Sequence, residues 1–289
     1  MERILAVVVF VILCSGTEVA SQPQPFETRH HDTTDVDALF QEAFRYEETA
    51  QKTMDKKQSL SLLDTAILIR KGIIETGVSK ELALQYQVET FERYAKLLHD
   101  TRAPKMAIKG HYLRTTSTLQ AWIALDHTID KTQKLAAIYE SLAGLEEGTE
   151  ESLIHMNAAA DLLESVVKQM PKDKLLAERL SKCYELSIWK SLRLNMPKEA
   201  KGLSLRAIEF DSGHMRAHSL LAASYLLLKK TTKAEKIILE NLYMTDADGN
   251  SFAKIMLRDL NFLEQKGLFP DNLRNNLVDI KSILEEEPR

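Results

Sequence analysis

Along residues 36–285 apolar side chains recur every three or four positions. In HSLLAASYLLLKKTTKAEKIILENL, residues 218–242, this reads as two apolar helical stripes joined by a short basic turn. No stretch alternates apolar and polar residues at period two for long enough to make a strand. The 10 Gly and 7 Pro of the chain fall mostly between the stripes. Breaks near Asp55, Gly77, Thr101 to Pro104, Asp126, Gly148, Met170–Pro171, Asn195 to Pro197, Asp211 to Gly213, Lys229 to Thr232, Asp246 to Asn250 and Lys266 to Pro270 delimit about twelve helices. The spacing predicts a nearly all-α chain of antiparallel helix hairpins. Pro171 and Pro197 are expected in first turns, where a missing N–H loses no hydrogen bond, and Asp211-Ser212-Gly213 offers a left-handed glycine after a helix.

Shifting the chain by 34 residues lays Leu192 on Leu226, Leu194 on Leu228, Ala200 on Ala234, Leu203 on Ile237, Leu205 on Leu239 and Ile208 on Leu242. A hairpin of this kind buries one face within itself and leaves the other apolar. Neighbours must then stack, and small residues such as Ala200, Ala207, Ala222 and Ala234 let helix axes approach closely.

In 215–248, Leu221-Ala222 followed by Tyr225, with Ala234 in the second helix, resembles the tetratricopeptide repeat family, whose unit is a 34-residue hairpin. His218 and Asn241 depart from its pattern. In 181–214, Tyr184, Ala200 and Ala207 match, while Ser187, Ile188 and Ser191 do not. Upstream, only Leu135-Ala136 with Tyr139 echoes the pattern, and residues 180–285 are similar to the C-terminal part of exported bacterial tetratricopeptide proteins. The resemblance implies an all-α, right-handed α-solenoid of about six antiparallel hairpins. Degenerate hairpins would occupy 36–180, two repeat units 181–248, and a capping hairpin with an acidic tail 249–289.

With 44% hydrophobic and 28% charged residues, the composition supports a substantial core, and a formal charge of -4 with scattered Lys and Arg gives no nucleic-acid footprint. Ten apolar residues, Ile4 to Leu13, follow Arg3. As a helix they rise roughly 15 Å against a bilayer core of roughly 30 Å, too short to span. Residues 1–21 therefore read as a signal peptide, with Val19-Ala20-Ser21 supplying small residues for cleavage before Gln22, and 22–35 as a flexible leader. An alternative makes Cys14 a lipid anchor, although Leu13 is the wrong residue before it. After cleavage Cys183 stands alone, and no internal disulfide forms. The expected address is the bacterial cell envelope, periplasmic or extracellular, with no transmembrane helix in the mature chain.

Catalytic signatures are lacking: there is no HExxH, GxSxG, Gly-rich phosphate loop or CxxC. His214 and His218 share a helical face, but a third metal ligand is not evident, and His30-His31-Asp32 belongs to the leader. Asp246, Asp248 and Asn250 suggest a calcium loop, but glycine stands at its fourth position and Leu257 at its twelfth, so a turn with Asn250 or Ser251 capping the next helix fits better. Phe91, Tyr94, Tyr112 and Trp122 have core spacing, and Glu150–Glu151 complement a helix N-terminus. No metal and no cofactor are expected.

Function is thus expected to be binding rather than catalysis. By the resemblance, first helices line an inner groove with Lys182, Glu185, Trp189, Leu192, Arg193, Arg216, Ser219, Ala223, Leu226 and Leu227. Of these Lys182, Glu185, Trp189, Arg193, Arg216 and Ser219 are the candidate contacts for a protein or peptide with acidic character. The chaperone-tail clamp of some family members needs asparagine where this chain has Trp189 and Ala223, so that clamp is not expected. The competing expectation is an envelope module for a small molecule or glycan, or an accessory domain to an enzyme; a deep closed pocket would favour it.

Overall fold

The computed structural model describes residues 35–246 and 249–286. The signal-peptide, Cys14 and leader readings lie outside the described residues, as do Asp248 and Glu287.

Among the described residues twelve α-helices follow in order: α1 Val36–Lys52, α2 Lys56–Thr76, α3 Lys80–Asp100, α4 Lys105–Leu125, α5 Ile129–Leu145, α6 Glu150–Gln169, α7 Lys174–Arg193, α8 Pro197–Phe210, α9 Met215–Leu227, α10 Thr231–Asn241, α11 Phe252–Gln265 and α12 Arg274–Glu285. Between α10 and α11 an isolated bridge pairs Thr245 with Ser251, the nearest thing to a strand among the described residues.

Local chemistry sets the ends. Side chains of Asp55, Thr128, Thr149, Asp173 and Ser251 accept orphan amide hydrogen bonds at the starts of α2, α5, α6, α7 and α11. Pro197 opens α8 as expected. Pro171 does not open α7: Asp173 caps that helix, leaving the proline in the preceding turn. Gly213 is not left-handed either, because the Asp211 carboxylate accepts its N–H at 3.0 Å and holds the turn with ordinary backbone angles.

The turns inside hairpins repeat one another in detail. After α7, Met196 N–H reaches Ser191 C=O at 2.8 Å and Asn195 N–H reaches Leu192 C=O at 2.9 Å, with Asn195 at φ 56°. After α9, Lys230 N–H to Tyr225 C=O and Lys229 N–H to Leu226 C=O, both 2.8 Å, repeat this with Lys229 at φ 58°. This is a left-handed helix stop, recurring at the 34-residue interval of the apolar pattern, and Arg102 and Gly267 close α3 and α11 in the same way.

Up to α10 each helix packs mainly on its neighbours in sequence, whereas α11 packs chiefly on α9, which also touches α7. Successive pairs α1–α2 to α11–α12 therefore form, among the described residues, a row of six hairpins, an α-solenoid whose contacts are local along the chain. The largest core runs from α5 to α9 and takes in Leu263 of α11. A second joins α9 to α12, a third α3 to α6, and a fourth α1 to α3. The alanines singled out for close approach, Ala200, Ala207, Ala222 and Ala234, are all buried, as are Phe91 and Trp122. Among the longer first six helices one charge is fully enclosed. The guanidinium of Arg70 binds the Glu47 carboxylate and Thr90 hydroxyl and lies over the Phe44 and Tyr86 rings at 5.2 and 5.6 Å.

Ala234 sits at 0% exposure against α9. Ala234→Leu is expected to destabilise the chain by about 1–3 kcal/mol through overpacking. The check is a lower denaturation midpoint in urea with an unchanged m-value.

Candidate partner-binding groove

The contacts of α9 with α7 and α11 bring the first helices of the last three hairpins side by side, and charged groups from all three meet at Arg216. Its Nη1 lies 3.2 Å from Glu185 Oε1 of α7, and its Nη2 donates to Asp259 Oδ1 of α11 at 3.3 Å. The guanidinium lies 5.6 Å over the Trp189 ring, and Trp189 meets Phe262 of α11 edge-on at 5.2 Å. Ser219 donates to Asp259 Oδ2 at 2.8 Å. One arginine is thus a three-helix joint. A Lys at this place would lack the planar fork that addresses two carboxylates while stacking on indole.

Asp259 is 1% exposed. Burial raises its pKa to about 6, against the opposing pull of Arg216, Ser219 and Arg258, while Glu185 pushes the same way as burial. His214 caps α9, and burial lowers its pKa. Three buried polar atoms here have no hydrogen-bond partner among the described residues: Trp189 Nε1, His214 Nδ1 and Arg216 Nε.

Of the sequence-derived candidates, Lys182, Glu185, Trp189, Arg216 and Ser219 belong to this cluster. Lys182 stands at its exposed rim, 3.2 Å from Glu185. Arg193 does not join them and reaches Glu147 in the α5–α6 turn at 3.1 Å. Ser219, Ala223 and Leu226 are fully buried because α9 is flanked by helices on both sides, and Leu192 of α7 is buried in the largest core, so all four pack rather than present a surface. The site's central acid, Asp259, was missed. It lies in the capping hairpin, and only the fold aligns it with Arg216. His218 donates its Nε2–H to the Ser212 carbonyl, 2.9 Å away, in the role of a repeat-joint histidine.

Beside the cluster an open cleft of about 570 Å³ is lined by His214, Arg216, Asn250, Lys254 and Arg258 together with Glu185, Asp211 and Asp246. A second, of about 540 Å³, continues along α11 over Leu257, Asn261, Phe262 and Gln265. Together they give a shallow strip mixing cations, amides and apolar side chains.

Titratable groups gather elsewhere but serve one another. Tyr94 donates to Asp64 at 3.1 Å and stacks on His111, whose pKa burial lowers to about 4. Burial tends to raise the Glu164 pKa, but hydrogen bonds from Lys168, Tyr184 and Arg206 bring it down to about 2. Lys190 donates to the Ser152 hydroxyl at 2.7 Å, yet that hydroxyl is buried and bound to the Ala143 carbonyl. Burial and Glu140 raise the Cys183 pKa to about 12, keeping it a thiol at neutral pH.

No family model matches the chain, and no curated protein does. Among solved structures the chain is similar to the MamA protein at 17% identity and TM-score 0.32, covering 69% of this chain and 90% of that one. It is also similar to the TPR2AB domain of yeast Sti1 in complex with an HSP90 peptide, at 13% identity and TM-score 0.23, covering 88% and 100%. Yeast Tom70 overlaps at 11% identity and TM-score 0.20, covering 92% and 70%. These overlaps are too loose to transfer a site or a partner, and the assignment of fold rests on the chain's own paired helices and repeated turns. The chain is a helical repeat protein of stacked antiparallel hairpins.

A buried carboxyl with a raised folded pKa stabilises most below its unfolded value of about 4, and that contribution is lost as pH rises through about 6. Wild-type stability therefore carries a falling component between pH 4 and 6.5. Asp259→Asn should lack it, seen as a flatter plot of unfolding free energy against pH in urea titrations.

Proposed function

We propose that this chain is a non-enzymatic scaffold whose first-helix strip, from the Arg216 cluster along α11, binds an extended or helical peptide carrying acidic residues. The carrying observation is the continuity of the two open clefts. Lys254 and Arg258 supply exposed cations, Asn261 and Gln265 supply amide hydrogen-bonding groups, and Leu257 and Phe262 give apolar footing in one line. A strip of this form suits a chain laid along it, since a small molecule would be buried on one side only. The ion-paired cluster beneath acts as a rigid floor, so binding spends little on ordering the protein.

Display of random peptides against the purified chain should enrich sequences with Asp or Glu spaced among apolar residues. Lys254→Glu with Arg258→Glu should weaken the best of them at least tenfold by fluorescence titration, while Leu239→Ser, at an exposed position of α10 that lines neither cleft, should not. No enrichment, or equal binding by both variants, refutes this reading.

Export to the cell envelope of a bacterium is part of the same proposal. It is supported by the apolar run Ile4–Leu13 and the small residues that follow it. Produced in a bacterial host, the chain should be recovered from the periplasm with Gln22 as its first residue by N-terminal sequencing. A cytoplasmic product that keeps Met1 would overturn it.

A further inference from the structure

The turns inside hairpins line one edge of the stack, and those of the first two hairpins differ in character from the rest. The ammonium of Lys56, at the start of α2, donates to the Asp100 carbonyl at the end of α3 at 3.2 Å, which holds the α1–α2 and α3–α4 turns together. From these turns two methionines project. Met54 is 99% exposed and Met106 75%, and Met54 is the most exposed large apolar residue among the described residues. Around them stand Lys52, Lys56, Lys57, Arg102 and Lys105, all exposed. Lys57, Arg102 and Lys105 have no acid within ion-pair distance among the described residues. Between the turns a cleft of about 400 Å³ adds Lys96 and Arg93 to its walls. The acids nearby are fewer and partly engaged: the Asp55 carboxylate caps α2, Glu48 faces Lys52 at 3.8 Å, Glu47 lies 3.4 Å from Arg93, and Asp100 shares the cleft wall. Arg102 occupies a left-handed position, φ 53°, that glycine or asparagine would fill with less strain.

Two isolated apolar tips set among an excess of cations on the same edge, Lys57, Arg102 and Lys105 without an ion-pair partner among the described residues, form a pattern with a definite complement. A nucleic-acid backbone would satisfy the cations but give the methionines nothing. A protein groove would gather apolar side chains into one patch rather than set them on separate turns. A bilayer with anionic headgroups meets both demands, since phosphates lie at the level of the cations and acyl carbon lies just below. We propose that the edge formed by the α1–α2 and α3–α4 turns docks on an anionic phospholipid surface, with Met54 and Met106 entering the headgroup layer and Lys56, Lys57, Arg102 and Lys105 facing the phosphates. Docking at this edge leaves the α7–α9–α11 strip at the other end of the stack free for its partner.

The experiment uses residues 35–289, which omit the apolar N-terminal run and retain the whole body from Val36 onward with its four cores. Sedimentation with phosphatidylglycerol vesicles should show binding that falls as salt rises, with little binding to phosphatidylcholine vesicles. Lys57→Glu, Arg102→Glu and Lys105→Glu together should lower partitioning at least about a hundredfold, at about fivefold for each cation near the surface. Met54→Ser with Met106→Ser should lower it with charge unchanged, which separates insertion from simple attraction. As a control, Lys229→Glu, Lys230→Glu and Lys233→Glu alter the basic α9–α10 turn. Equal binding to both lipids, full binding by the edge variants, or loss confined to the control set would each overturn the proposal. Circular dichroism at 222 nm verifies that every variant is folded.

Discussion

The structure depends on α9. This helix has four neighbours, the preceding helix α8, its own partner α10 and the first helices α7 and α11, and it reaches them by presenting almost no bulk where they cross. Ala217, Ala222 and Ala223 are at 0 or near 0% exposure, and Leu220 and Leu226 fill the space between. Close approach of backbones maximises dispersion contacts and removes water from both sides at once. Everything in the C-terminal half follows from that approach. It sets Glu185, Arg216 and Asp259 in one line, closes Ser219 away from solvent, and leaves the outer side of α11 as the available strip.

Much of the fold was legible in the chain because helix periodicity and stop chemistry are local. The 34-residue shift from Leu192 to Leu226 carries over to the coordinates as two turns with matching hydrogen bonds. Serine hid part of the repeat. Ser191, Ser204 and Ser224 are buried, and each hydroxyl donates to the carbonyl four residues back, at 3.0, 2.8 and 2.7 Å. Bonded inward, a serine packs nearly as a small apolar residue, so Ser191, a departure in the letters, still fits the buried face of α7. Upstream, α1 to α7 run 17 to 21 residues against 11 to 14 for α8 to α12, which displaces the register and erases the echo.

The candidate site was legible only in part. Trp189, Arg216 and Glu185 follow from helix positions, but the groups that complete them come from elsewhere in the chain. Asp259 is 43 residues beyond Arg216, and its role arises from α9–α11 packing rather than from any motif. Arg193 went astray for a comparable reason, since Glu147 on a neighbouring turn draws it to the edge of the stack. The enclosed Arg70 with Glu47 and Thr90 has no signature at all, because three polar residues spread over three helices look like surface until the helices are assembled.

Contacts that run almost wholly between successive helices also give the molecule a direction of disassembly. Peeling α1 and α2 from one extremity disturbs α3 and little beyond it, whereas the network that unites α7, α9 and α11 must rupture as a whole. Under tension or heat the front hairpins can unzip one pair at a time while the rear block persists as a single cooperative piece.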